Sequence, residues 1–419
     1  MQIESLLKQD PEEAFLFLER KVNSKFPLSP EHAKVSEYFR ADLGAPSFGL
    51  PFVFLEQNKT ELYEASPSLN IKKQIVSGEK IKLYVHPEMI NSYLTRGMYK
   101  LTEFEGNIKV SPTSSTRTVF TRNKDENFMM KIDLEKRLGN RVRKMKRRQV
   151  EHSNRITKEL IESDLPEYFA YMPESMGILY VQGENEIGMI VREFERRPFV
   201  SEKRYLLPVF SLFSLDKEDK ERAPLLAQIV ERTTEEGNEY DFFHERILKP
   251  FISSWAYFVV KRGLSPDIHS QNCLLEIDYG GMPKRIVYRD FQEFFINPEI
   301  RKAKGLSLDF KNNMIARNDS NLKNVNGKFI TDVEESKRIG YSVVYDYTIG
   351  TILDYFSIVL SKFSSCQESK IIDGAKSVFR ECFNGMQDEL FPKKAYHLKH
   401  QQQDISKMYE IEEAEPKYR

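Results

Sequence analysis

The 419-residue sequence has little cysteine, a single tryptophan and no surplus of charge of either sign. Three cysteines, Cys273, Cys366 and Cys382, are too few and too scattered for a disulfide framework. None lies in a CxxC pair, which argues against a structural zinc site. Lys plus Arg and Asp plus Glu balance at 63 each, so no global field points to nucleic acid or a membrane surface. No uninterrupted apolar stretch approaches the ~20 residues that span a bilayer. The opening MQIESLLKQDPEEAF carries acids where a secretory signal needs a basic and then an apolar run. A reducing, cytoplasmic setting is the expectation.

What the chain does have is 40% apolar and 12% aromatic residues, the composition of a folded protein with two or three domains. Residues 1–22 read as an amphipathic helix, with Ile3, Leu6, Leu7, Phe15, Leu16 and Leu18 on its apolar side. A short strand is expected over 81–85, followed by a helix over 89–97. Two hairpins are expected in the middle, 116–122 with 127–134 and 177–181 with 187–194, each around a polar turn. The basic stretch 137–148 between them reads as helix, continuing to residue 165, and a domain boundary is expected near 196–202. Pro250 suits a helix start and Gly263 a helix stop, with Trp255 on the apolar face between them. A third hairpin is expected over 273–277 and 285–288, helices over 345–363 and 367–383, and a frayed polar tail over 400–419.

The third hairpin carries the densest chemistry. Asp267, His269 and Asn272 precede its first strand; Arg289 and Asp290 follow its second. Antiparallel pairing brings these ends together. Carboxylate and amide oxygens are hard ligands for Mg²⁺, while His and Arg meet phosphate oxygens, so the cluster suits a nucleotide with its metal. A second constellation is PTSSTRTVF, residues 112–120, where hydroxyls, backbone N–H groups and a guanidinium lead into a strand. Lys131 lies on the facing strand, and Arg143 follows twelve residues later. The bland alternatives are a Ser/Thr-rich loop, capping carboxylates and a surface histidine. The basic run 136–148 is read as a solvated helix face and not as a nucleic-acid site.

Taken together, Pro-Thr-Ser-Ser-x-Arg-Thr at 112–118, Lys131-Ile-Asp-Leu and Asn140-x-x-Arg143 resemble the nucleotide-binding stretch of the NRPS-independent siderophore synthetases, the IucA/IucC (aerobactin-synthetase) family. Asp267-x-His269-x-Gln271-Asn272 is similar to that family's Glu-x-His-x-Gln-Asn motif, and Arg289-Asp290 to the pair that comes after it. Val85-His86-Pro87 resembles its Val-His-Pro-Trp-Gln element, and residues 190–193 its Arg-Glu strand.

The resemblance implies an α+β, multi-domain, cupped-hand architecture of thumb, fingers and palm, with antiparallel hairpins and a helical, kinase-like C-terminal palm. Its divisions would be a shortened thumb-like region over 1–100, nucleotide-binding fingers over 101–200, a palm over 201–399 and a tail over 400–419. It further implies a Mg²⁺- and ATP-dependent ligase that adenylates citrate or a related acid and passes the acyl group to an amine or hydroxyl. Carried over residue by residue, Ser114, Ser115, Arg117, Thr118, Arg143, His269, Asn272 and Asp290 would bind the nucleotide. His269, Arg117 and Lys131 would be catalytic; Arg192, Arg289 and His86 would contact substrate; Asp267 and Asp290 would hold the metal. A homodimer is the family's usual assembly. The sequence departs from the family in three places. The His-Pro-x-His-Pro-x-x-Lys motif is replaced by residues 26–34, His86-Pro87 runs into Glu-Met, and Asp267 stands for Glu. Two other readings are a synthetase that has become a binding subunit, and a kinase-like small-molecule phosphotransferase. The chain lacks a GxGxxG loop near its start and a catalytic Asp directly after His269, as the latter would need.

Overall fold

Pro11 has no N–H to give a preceding helical turn, and the Asp10 side chain caps the helix that Pro11 opens by accepting from Glu12 N at 3.0 Å. The expected single N-terminal helix is therefore two, Ile3–Leu7 and Pro11–Lys21. These lie in a computed structural model that describes residues 2–23, 34–122, 128–138, 141–215, 221–310, 324–325, 328–330, 332–398 and 411–419. Most of the segment standing in place of the missing family motif (26–33) and Asn140 lie outside the described residues.

Alternating apolar residues then build strands: Phe48–Glu56 (β1), Thr60–Glu64 (β2), Val76–Ser77 (β3), Lys80–Tyr84 (β4), Gly106–Pro112 (β5), Thr118–Thr121 (β6) and Phe128–Ile132 (β7). Leu134–Leu138 (β8) and Arg141–Arg143 (β9) form a separate short hairpin, and Phe169–Tyr171 (β10), Met176–Gln182 (β11) and Asn185–Glu193 (β12) come next. Nine of these make one antiparallel sheet in the order β2-β11-β12-β7-β6-β5-β1-β4-β3. Both expected middle hairpins are present, as β6–β7 and β11–β12.

The basic stretch is different from its expectation. Residues 134–138 and 141–143 pair as β8 and β9, and the helix begins only at Arg147. Arg143 thus sits on a strand. Gly139-Asn140 is a two-residue hairpin signal that the density of positive charge obscures. The helix Arg147–Ile161 lies close against β11 and β12, where a Cβ at Gly177 would stand 2.5 Å from Val150 and one at Gly188 2.9 Å from the same residue. Glycine at these two positions lets the helix approach.

The C-terminal part has a four-stranded sheet, β10 with Arg204–Pro208 (β13), Cys273–Asp278 (β15) and Pro283–Tyr288 (β16), in the order β10-β16-β15-β13. Leu264–Pro266 (β14) pairs separately with Phe294–Ile296 (β17). The expected hairpin β15–β16 is present, and Arg289 N donates to Asn272 O at 3.0 Å, closing its open end. The helix Lys249–Tyr257 runs on through Arg262 to Gly263, which caps it with φ 57°. Trp255 is buried among Tyr345, Phe383 and Phe391. Among the described residues, one helical run, Glu334–Phe363, is long and apolar enough to cross a membrane, yet 67% of its apolar window is packed inside the protein. Residues 400–410 of the expected tail lie outside the described residues, and over 411–419 the chain is not frayed: Ile411–Ala414 pairs with Ala395–Leu398, Tyr418 is buried and Arg419 holds Asp346 at 2.9 Å.

One apolar core fills the nine-stranded sheet and another the C-terminal helices and small sheet. A third cluster joins them: Phe15 and Leu16 meet Phe120 and Met129 from β6–β7 and Leu274 and Val287 from β15–β16. Beside that junction the polar ends of both hairpins converge.

Candidate functional site

The convergence leaves a cavity of about 340 Å³. Arg117 and Lys131 reach it from the β6–β7 hairpin, and Arg143 and Lys144 from the end of β9. Lys146 and Arg148 add two more cations at the helix start. Asp267, His269, Asn272, Asp290, Gln292 and Glu293 come from the ends of the third hairpin. Six Lys or Arg side chains thus face three carboxylates, and such a wall attracts a polyanion.

Lys131 and Asp290 meet at its centre, Nζ to Oδ2 at 2.5 Å, although they lie 159 residues apart in the chain. Their side chains are 6% and 23% exposed. A buried ammonium without a partner costs several kcal/mol, which makes the pair necessary for Lys131 to stay charged. Burial would raise the Asp290 carboxyl, but Lys131, Arg192 and Arg117 together outweigh it and hold the group well below the usual carboxylate range. Asp290 is therefore ionised. Burial pulls the Lys131 ammonium down to about 7, against the attraction of Asp290, with Arg117 and Arg192 adding repulsion. Burial also lowers Arg117, to about 10, which leaves it cationic at neutral pH. Asp290 adopts φ 75°, a left-handed conformation that Asp tolerates better than most residues, and this turns its carboxylate back toward Lys131.

The remaining walls are braced locally. Arg117 Nη1 donates to Arg143 O at 2.7 Å and so ties the β8–β9 hairpin to β6. Asn272 Nδ2 donates to Asp267 O at 3.0 Å, fixing the 267–272 loop. Gln271 N donates to His269 Nδ1 at 3.2 Å, so a neutral His269 ring carries its proton on Nε2.

Seven of the residues expected from sequence come together here: Arg117, Lys131, Arg143, Asp267, His269, Asn272 and Asp290. Six do not line the cavity, and each has a structural engagement instead. Ser114 presents its N and Oγ to Glu19 Oε2 at 2.9 and 2.5 Å, and its Oγ also accepts from Gln271. Ser115 Oγ accepts from Thr118 N at 3.0 Å within the turn that enters β6, and Thr118 is buried in that strand. Arg289 donates to Glu19 at 2.6 Å and to Gln271 O at 2.8 Å. Arg192 is held by Glu174, Nε to Oε1 at 3.1 Å, and reaches Asp290 only at 4.0 Å. His86 is wholly buried in the other core against Phe39 and Phe48; burial, with Lys136 nearby, drives its pKa down to about 3. A neutral core ring does not contact a ligand in this cavity.

Sequence reasoning missed Glu19 and Glu174, the two fully buried carboxylates that hold Arg289 and Arg192. Glu19 had a signal: it stands four residues after Phe15 on the apolar side of its helix, where an acid needs a partner. Gln292 and Glu293 were missed too, although they directly follow the Arg-Asp-Phe turn.

Two family models match the chain. The IucA/IucC family covers residues 83–214, and the family described as ferric iron reductase FhuF-like transporter covers 246–404. No curated protein sequence matches. Among solved structures, the petrobactin biosynthesis protein AsbB from Bacillus anthracis str. Sterne superposes with a TM-score of 0.66 at 15% identity, over 89% of this chain and 68% of that one. The ATP-bound aerobactin synthetase IucA from a hypervirulent pathotype of Klebsiella pneumoniae gives 0.66 at 14% identity, over 94% and 74%. Aerobactin synthetase IucC from the same source gives 0.64 at 13%, over 91% and 71%. These similarities establish a shared fold, a mixture of helices and a large curled antiparallel sheet.

Proposed function

We propose that the chain, which matches the IucA/IucC family over residues 83–214, is an ATP-dependent ligase of siderophore biosynthesis. It would adenylate citrate or a related di- or tricarboxylic acid and join it to an amine or hydroxyl. The observation that carries this reading is the cavity wall of six cations, Lys131 of the Lys131–Asp290 pair among them. Two anions must meet there, a carboxylate and a triphosphate, and only a strongly positive wall offsets their repulsion.

In this reading Arg117, Lys131 and Arg143 bind phosphate oxygens, and His269 donates from Nε2 to a ligand oxygen. The carboxylate oxygen bonds to the α-phosphorus as the bond to pyrophosphate breaks. Attack by the amine or hydroxyl on the acyl carbon then expels AMP, and the nucleophile's proton leaves to solvent. Mg²⁺ fits as a minor ligand of the protein. Among the described residues no group of three His, Cys, Asp or Glu could hold a metal, but Mg²⁺ commonly takes one or two carboxylates and completes its shell with phosphates and water. Asp290 and Asp267 would supply those carboxylates, and the ion would neutralise charge on the phosphates. The cupped-hand division at residues 100 and 200, the kinase-like palm, cytoplasmic residence and a homodimer belong to the same proposal.

The test is product analysis with ATP, Mg²⁺, a panel of acids and amines, and citrate foremost. AMP and pyrophosphate support the ligase. ADP with a phosphorylated acceptor points to a phosphotransferase, and tight ATP binding without turnover on any acid points to a binding subunit. Arg117→Ala and His269→Ala each lower pyrophosphate release at least ~10²-fold, the loss expected for one preorganised electrostatic contact. Equal rates in folded variants would remove both residues from the mechanism.

A further inference from the structure

Gln292 lies in the cavity wall, is only 2% exposed, and uses just one end of its amide. Its Oε1 accepts from Arg117 Nη2 at 3.5 Å, while its Nε2 is buried with no hydrogen-bond partner among the described residues. The amide is not free to turn over. A guanidinium only donates, so a flipped Gln292 would set two donors against each other. The carbonyl therefore faces Arg117 and the NH₂ faces away from it.

The backbone holds this residue firmly on both sides. Phe291 N donates to the buried Glu174 Oε2 at 3.1 Å, the Phe291 ring packs on Tyr171 and Phe258, and Glu293 O accepts from Asp267 N at 3.5 Å. An unfilled buried donor is costly and uncommon, and here it adjoins a wall built for anions.

We propose that Gln292 is a ligand-binding residue whose Nε2 donates to an anionic oxygen, of a phosphate or a carboxylate, on the molecule that occupies the cavity. The proposal rests on the reading of this cavity as the nucleotide and carboxylate site, and adds a contact that the recognised motifs did not supply. Gln292 would distinguish an oxyanion from a cationic or purely apolar group at that point, because a donor amide offers nothing to either.

The experiment compares the wild-type chain with Gln292→Met, which keeps length and loses both the donor and the acceptor for Arg117, and Gln292→Glu, which keeps that acceptor and replaces the donor with a charge. Binding of ATP with Mg²⁺, of inorganic pyrophosphate and of citrate is measured by calorimetry, with KM for ATP and for the acid where turnover occurs. Gln292→Met weakens one ligand by about 10-fold or more, as for loss of a hydrogen bond to a charged group, and Gln292→Glu weakens it further. Weaker ATP and pyrophosphate binding identifies a phosphate oxygen; weaker citrate binding alone identifies the carboxylate. The thermal midpoint of the ligand-free Gln292→Glu chain stays level or rises, since the acceptor for Arg117 is kept and a buried unpaired donor is gone; a residue whose amide nitrogen supported the fold would lower it. Unchanged affinity for all three probes in both variants overturns the proposal. If one variant does not fold, Gln292→Asn, which withdraws the donor by one methylene, takes its place. Wild-type binding of pyrophosphate that Gln292→Met weakens, without any acid turnover, keeps the Gln292 contact and rejects the ligase. A wild-type chain that binds no oxyanion rejects both.

Discussion

Lys131 enters the molecule on β7, a strand whose five side chains are all buried, and it survives there by facing Asp290. Its pKa of about 7 has a direct consequence for anything that binds through its charge. The ammonium form exists below that value, so affinity for phosphate falls as pH climbs through about 7. In the free protein, kcat/KM for ATP should bend downward there and fall about tenfold per pH unit above it. Lys131→Arg keeps its charge and should lose the bend; a wild-type profile flat from pH 6 to 9 would exclude Lys131 from ligand binding. At this scale the sequence was informative wherever polar residues crowd a hairpin end, as at Arg117, His269 and Asp290. It was silent on Glu19 and Gln292, which matter through partners more than a hundred residues away, and on Glu174, which holds Arg192 and the Phe291 amide.

At the scale of elements, the β8–β9 hairpin leads Arg143 and Lys144 to the cavity, and Asp133 anchors both its ends. Asp133 Oδ1 accepts from Met145 N at 2.6 Å and Oδ2 from Tyr93 OH at 3.0 Å. Asp133→Ala removes both bonds and should cost about 1–3 kcal/mol, with faster amide exchange over residues 134–145 as the diagnostic. Protection equal to wild type would show that the hairpin is held elsewhere. Burial, opposed by those two hydrogen bonds, raises the Asp133 carboxyl to about 6 from 3.8. The folded state then binds its proton more tightly than the unfolded chain, so this group's contribution to stability declines between pH 4 and 6 and is constant above. The middle and third hairpins were legible because alternation is a local signal. The β8–β9 hairpin was not, since its run of cations also fits a helix. The strand Ile411–Ala414 was illegible for another reason: it gains its hydrogen bonds from residues 395–398, across a stretch the local pattern cannot bridge.

Across the whole molecule, Glu19 links three parts of the chain that sequence places far apart. From the helix Pro11–Lys21 it accepts from Ser114 before β6 and from Arg289 after β16. Glu19→Ala leaves the buried Arg289 guanidinium unpaired and should lower stability by about 3–5 kcal/mol in denaturant titrations, while Glu19→Gln retains an acceptor and should lose less. Equal stability of the two variants and wild type would mean that Phe15 and Leu16 alone hold the junction. The family resemblance made a mixed α+β fold legible from scattered motifs, whereas the strand order could not be drawn from them. β2 lies beside β11 and β7 beside β12, pairings that no short-range pattern announces.

The Lys131–Asp290 pair also orders events on the ribosome. Lys131 leaves it 159 residues before Asp290, which at ordinary elongation speeds is roughly 8–30 s. Throughout that interval β7 carries a lysine whose counter-charge has not been made, so a sheet that closed over it early would have to bury the amine in its neutral form. Only when the last third of the chain delivers the carboxylate can the sheet hold Lys131 as a buried ammonium.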